Sequence, residues 1–169
     1  MKFIVATLIA LFSLPLSAAS AYRTESIILL QPDFVLKERI SSVESLSDYI
    51  KAVQAAVEVT LDGEPPSPTS GHLVLAVRPR GQSMVWLDFK PSLPHPTATL
   101  LKTAVLAVSP FPVKNDVVVF SINLTLWEAT PTQQAFPFPS EWSKAMEGHT
   151  NPMMIDDIVD RVWLPESSF

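Results

Sequence analysis

The stretch GHLVLAVRPRGQSMVWLDF, Gly71 to Phe89, decides the architecture, because it reads as two apolar strands hinged at Pro79-Arg80-Gly81. In the first arm Leu73, Leu75 and Val77 share a face. In the second, Val85, Leu87 and Phe89 share one face, and Met84, Trp86 and Asp88 the other. A period of two is that of a strand whose sides meet different surroundings. Arg78-Pro79-Arg80-Gly81 supplies the turn, with glycine where a positive φ is needed.

Downstream, a loop from Pro91 to Pro96 leads into a helix predicted from about Thr97 to Val108, with Leu101, Ala104, Val105 and Val108 on one side and Pro110 and Pro112 ending it. Val117 to Trp127 is the cleanest strand in the chain. Val118, Phe120, Ile122, Leu124 and Leu126 alternate with Val119, Ser121, Asn123, Thr125 and Trp127, which predicts one core face and one polar face. Upstream, Gly63 to Ser70 carries three prolines and reads as a loop. Before it, Ser41 with Glu44 forms a capping box for a helix carrying Leu46, Ile50, Val53 and Val57. Ile27 to Leu30, stopped by Pro32, reads as a short strand. The pattern predicts an α+β fold: a small antiparallel sheet with two helices packed on one face.

Gly71 to about Trp127 resembles the C-terminal domain shared by the periplasmic energy transducers TonB and TolA. The matching features are the strand led by Gly71, the Pro79-Arg80-Gly81 turn, the strand Met84 to Phe89, the Ala/Val-rich helix Leu100 to Val108, the proline exit Pro110 to Pro112 and the final strand Val117 to Leu126. The resemblance implies a domain that binds other proteins, in which the strand after the second helix can accept a partner's extended segment at its edge. Ser121, Asn123, Thr125 and Trp127 would then read the partner's side chains; the competing reading is that they face water. The chain departs from the transducers in lacking a long Pro-rich spacer and in having a hydrophobic start that looks cleavable.

That start is Met1-Lys2, an apolar run from Phe3 to Leu16 and the small-residue motif Ala19-Ser20-Ala21, the pattern of a signal peptide spanning residues 1–21. The run is shorter than the roughly 20 residues that cross a bilayer. A mature chain from Tyr22, periplasmic or secreted and without stable membrane insertion, is the expectation. It keeps about 148 of the 169 residues, organised as an α+β domain over 22–130 and a C-terminal extension over 131–169. With no cysteine, stability must come from packing alone. A net charge of −5, from 17 acidic against 12 basic residues, argues against nucleic-acid binding, which needs clustered Lys and Arg.

In the extension, the Pro- and Phe-rich connector Pro131 to Pro139 ends in a stiff segment, Ala135 to Pro139, that reads either as a ligand for another protein or as a pin for the C-terminal helices, with its phenylalanines expected as buried staples. Ser140 caps a predicted short helix ending at Gly148, and Asn151-Pro152 starts another carrying Ile155, Ile158, Val159 and Val162. These helices either pack on the sheet or protect an edge.

The sequence carries no Cys nucleophile, zinc-protease motif, nucleophile elbow or phosphate loop, so no catalytic residue, metal site or cofactor is assigned. His72, His95 and His149 lie far apart and read as scattered histidines. Arg78, Arg80 and Trp86 can form a small basic-aromatic binding surface, although turn arginines also serve solubility. Asp156, Asp157 and Asp160 form the densest acidic cluster, read as a solvated face that complements a helix start. Three functions stay open: a non-catalytic protein-binding module of the bacterial cell envelope, an immunity or inhibitor protein that neutralises a secreted toxin or lytic enzyme through its acidic surface, and an enzyme whose site the sequence does not display.

Overall fold

The computed structural model describes residues 20–163. The leader's basic start and apolar run, with residues up to 19, lie outside the described residues, as do residues 164–169. No described helix is long and apolar enough to cross a membrane. In chain order the elements are β1 (Tyr22–Leu29), α1 (Asp33–Arg39), α2 (Val43–Asp62), β2 (Thr69–Arg78), β3 (Gln82–Lys90), α3 (His95–Leu106), β4 (Val118–Leu126), α4 (Ser140–Met146) and α5 (Ile155–Val162). The fold is α+β. Its four strands form one antiparallel sheet in the order β1-β4-β2-β3.

The predicted hairpin is present, with Leu73 opposite Leu87 and Arg78 opposite Gln82. Its turn is a short 3-10 segment, Pro79–Gly81, in which Arg80 (φ 67) and Gly81 (φ 71) both take left-handed backbone. On one face of the sheet, Leu73, Leu75, Val77, Val85, Phe89 and the even-numbered residues Val118 to Leu126 meet Leu46, Ile50, Val53, Val57 and Leu61 of α2 and Leu101 and Val105 of α3. Tyr49 joins this core, tilted against Phe111 and edge-on to Phe120.

Local chemistry explains where the observed boundaries differ from the predicted ones. The cap of α2 is Ser42, one residue past the predicted Ser41: its hydroxyl accepts from the Ser45 amide at 3.1 Å and donates to Glu44. Helix α3 starts two residues early because Pro96 sits in its first turn, where a missing N–H breaks no helical bond. Helix α1 has no counterpart in the sequence reading; at seven residues it buries only Leu36, too little to leave a periodic signature. Helix α5 starts at Ile155, after Met154, and leaves Asn151-Pro152 in the preceding loop.

The largest correction concerns the second face of the sheet, which is covered rather than open to solvent. There Val74, Ala76, Trp86, Val117 and Val119 pack against Trp142 of α4 and Ile158 and Val159 of α5. The sheet is therefore the middle of three layers, with α2 and α3 on one side and the C-terminal extension on the other.

Gly71 marks the closest approach within the hairpin. A β-carbon there would lie 2.1 Å from the Asp88 carbonyl oxygen and 2.6 Å from the Phe89 α-carbon, both backbone atoms that cannot swing away. Gly81 has open space around it and only its φ to satisfy. Gly71→Ala is expected to lower unfolding free energy by roughly 2–3 kcal/mol and Gly81→Ala by about 1 kcal/mol, compared by denaturant titration.

Burial pushes the Tyr49 hydroxyl, which has no hydrogen-bond partner among the described residues, up to about 12. The folded chain thus holds this proton at pH values where the unfolded chain releases it. Stability contributed by the neutral phenol is complete below about pH 10 and falls by about 1.4 kcal/mol per unit above it. Thermal unfolding from pH 9 to 11 should show this decline, and Tyr49→Phe should remove its part of it.

Candidate functional site

Strand β4 is flanked on both sides, by β1 through Leu29↔Phe120 to Tyr22↔Leu126 and by β2 through Val77↔Val118 to Thr69↔Leu126. Its backbone groups are taken up, and every residue from Val118 to Leu126 is buried. The expected acceptance of an extended segment at this final strand is therefore corrected: β4 has no free edge. Ser121, Asn123 and Thr125 are buried: Ser121 lies beside His72 under the connector, and Thr125 is bonded to Glu25 of β1. Trp127 sits just beyond the strand at φ 47, packed against the main core.

His72, Ser121 and Asp88 form a buried latch with the connector. His72 is fully buried; its Nε2–H donates to the Gln134 carbonyl at 3.0 Å, which in a neutral ring leaves Nδ1 to accept from the Ser121 hydroxyl at 3.1 Å. The Asp88 carboxylate, opposite His72 on β3, accepts from the Gln134 side chain and the Phe138 amide, each at 2.7 Å. Lys90 donates to Gln134 from the same strand at 3.0 Å. Asn123 keeps a buried Oδ1 without a partner. Thr125 donates to Glu25 at 2.7 Å, and this bond, with Arg23, holds the Glu25 carboxyl below its ordinary range. Ser121 and His72 are both at 0% exposure, which closes the pair to any substrate in this conformation. The connector's phenylalanines are not the expected buried staples. Pro137 and Pro139 turn inward, while Phe136 and Phe138 are 66% and 50% exposed.

Arg78, Arg80 and Trp86 do not form one surface. Trp86 is in the second core, edge-on to Trp142 at 5.5 Å between ring centres. Arg78 is ion-paired to Asp160 and lies 4.2 Å over the Trp163 ring, and Arg80 stands exposed at the turn. The acidic residues are likewise engaged. Asp156 accepts from Arg39 at 2.7 Å and from Gln31, and Arg39 also reaches Asp116 and the Val117 carbonyl. The hydrogen bond to Asp156 is the main cause that raises the Arg39 guanidinium further above its ordinary range. Asp156 and Asp160 thus clamp α5 to the sheet, and Asp157 lines a shallow depression of about 500 Å³ with residues 148–153.

The free edges of the sheet are β1 and β3, and they differ in character. The β3 edge carries Asp88 and Lys90, both tied to the connector, and α3 lies against it. Strand β1 has no such cover among the described residues. The Leu30 amide donates to Val119 at 3.1 Å, so the backbone groups of Leu30 and Ile28 point to β4 and those of Ile27 and Leu29 point outward. Ile27 and Leu29 also expose nearly half of their surface. With Val43, Leu46 and Ile50 of α2 they line an apolar groove of about 400 Å³, with Ser47, Lys51 and Gln54 at its rim. Gln54 donates to Thr24 at 2.8 Å and fixes α2 over the strand.

The sequence reading identifies Ile27 to Leu30 as a strand but does not separate its exposed from its covered residues. The available signal is the unbroken run Ile27 to Leu30, which has no charge or proline of the kind that blunts an edge. Comparisons with family models, with curated proteins and with solved structures found no match.

Asp88→Ala removes both bonds that the carboxylate makes to the connector. It should accelerate cleavage between Thr132 and Pro139 by a broad-specificity protease at least about tenfold, with the remaining chain resistant, as read by mass spectrometry of the fragments.

Proposed function

We propose that this chain is a non-catalytic protein-binding module of the bacterial cell envelope, and that it takes an extended apolar strand of a protein partner onto the outer edge of β1. The observation that carries the reading is the coincidence, on one edge, of outward backbone groups at Ile27 and Leu29 with an apolar groove formed by those side chains and α2. An added strand would exchange hydrogen bonds with Ile27 and Leu29 and lower every second side chain into the groove, so that backbone pairing provides affinity and the groove selects side chains. Support for an envelope setting comes from the expected leader and from the resemblance to TonB and TolA C-terminal domains carried by Gly71, Pro79-Arg80-Gly81 and Val117 to Leu126. An inhibitor acting through its acidic surface is the weaker reading, because Asp156 and Asp160 are occupied by Arg39 and Arg78.

Fluorescence anisotropy with a labelled Val/Ile-rich heptapeptide tests the reading. Binding should weaken at least about tenfold, or 1.4 kcal/mol, when Ile27→Lys places a charge in the groove, and should be unchanged by Val59→Lys at an exposed site elsewhere on α2. A peptide of the same composition with a central proline should bind poorly, since it cannot complete the backbone pairing. Equal affinity for the two peptides would exclude strand addition.

A further inference from the structure

We infer that the strand received by β1 is the β1 of a second copy of this chain, in a symmetric dimer whose two-fold axis passes Ile28. The inference rests on the reading of β1 as the docking strand and follows from three features of that edge.

The first is backbone parity. Two copies of Ser26–Leu30 laid antiparallel about Ile28 set Ile27 opposite Leu29 of the second copy, and Leu29 opposite its Ile27. Both residues direct N–H and C=O outward, so both pairs are hydrogen-bonded pairs and all the outward groups of this segment are satisfied. Other axes fail. An axis at Ile27 sets Leu29 against Glu25, inside the register shift between Thr24 and Ser26. An axis at Leu29 sets Ile27 against Gln31, where the chain turns through Pro32 into α1.

The second is side-chain self-complementarity. On the α2 side, Ile27 and Leu29 meet Leu29 and Ile27 of the second copy, and the two apolar grooves become one. On the other side Ile28 meets Ile28. No position from Ser26 to Leu30 carries a charge, and the groove's single charged residue, Lys51, has Asp48 at 3.5 Å to pair with. A chain of net charge −5 therefore meets its own copy at a neutral patch, where like-charge repulsion is weakest.

The third is closure. An isologous pairing uses the same edge of both copies and so stops at two chains, while at the other edge, β3, the side chains of Asp88 and Lys90 are tied to the connector. The product is one continuous eight-stranded sheet, formed from two copies of the four-stranded one.

The chain has no cysteine, so Ile28→Cys introduces a single thiol into the full-length protein. At a non-hydrogen-bonded antiparallel pair on the axis the two α-carbons lie about 4.5 Å apart, within the range a disulfide spans. Mild oxidation with diamide should convert most of this variant to a covalent dimer, and should leave Val59→Cys, exposed elsewhere on α2, largely without cross-link. Sedimentation of the wild-type chain should show a dimer. Ile27→Pro, which deletes an outward N–H without touching the β1–β4 bonds, and Leu29→Lys should each shift it to monomer with circular dichroism unchanged. A wild-type monomer that gives no Ile28→Cys cross-link but still binds the Val/Ile-rich heptapeptide would overturn the second copy as occupant and leave the docking strand standing. A monomer that binds no peptide would overturn both.

Discussion

Strand β4 depends on burial from four directions, and the rest of the molecule is arranged to supply it. β1 and β2 take its backbone groups on either side. The helices α2 and α3 cover Phe120, Ile122 and Leu124 on one face, and on the other the C-terminal extension covers Val119 and, through His72, Ser121. An unpaired backbone group or an uncovered aliphatic row in this strand would each cost on the order of kcal/mol. The last strand of the main domain is thus an interior strand of the sheet, and the strand first in sequence is left at its margin.

Covering the second face raises a problem that the first face does not have. Half of it, around Val74, Ala76, Trp86 and Val119, is apolar and is met by Trp142, Ile158 and Val159. The other half carries His72, Ser121, Asn123 and Asp88, whose burial is tolerable only with hydrogen-bond partners. The backbone in the middle of a helix cannot supply them, because its groups are bonded internally. An irregular proline-rich segment can: the Gln134 carbonyl accepts from His72 and the Phe138 amide donates to Asp88, because no helix claims either group. The fit is incomplete at Asn123 Oδ1 and at the Trp142 indole N–H, both buried without partners. These are offset by the apolar area around them, in particular the edge-to-face contact of Trp142 with Trp86.

This division explains what is legible in the sequence. The hairpin, the final strand and the α2 stripe are all periodic over seven or more residues and appear where the pattern puts them. Alternation in β4 correctly separates its two faces. It does not tell water from a buried polar latch, because Ser121, Asn123 and Thr125 suit either. Strand order is equally hidden, since periodicity reports which face of a strand is covered and carries no information about which strands lie beside it. Trp86, Asp156 and Asp160 show the same limit: aromatic and acidic residues mark contacts, and only the fold says whether the contact is internal. Had the pairing of Gln31 and Arg39 with the extension been foreseeable, the acidic cluster would have read as a clamp.

The two margins of the sheet end up unlike for a reason of chain path. The connector leaves β4 after Trp127, crosses the polar half of the second face and passes β3, so Asp88 and Lys90 are bonded to it on the way to α4. α5 then returns toward the other margin but is stopped at Gln31 and Arg39, at the end of β1, by Asp156. Its clamp holds the end of α1 and the start of β4 and does not extend along Ile27 and Leu29. On the helix side α2 reaches β1 with its apolar residues Leu46 and Ile50 rather than with a covering loop. What is left is a short strand segment that is fixed in register by β4, backed by a rigid helix and apolar at each exposed position. A flexible edge would lose ordering entropy on binding, whereas this one is already held in the conformation that pairing requires, which favours its use as a docking strand.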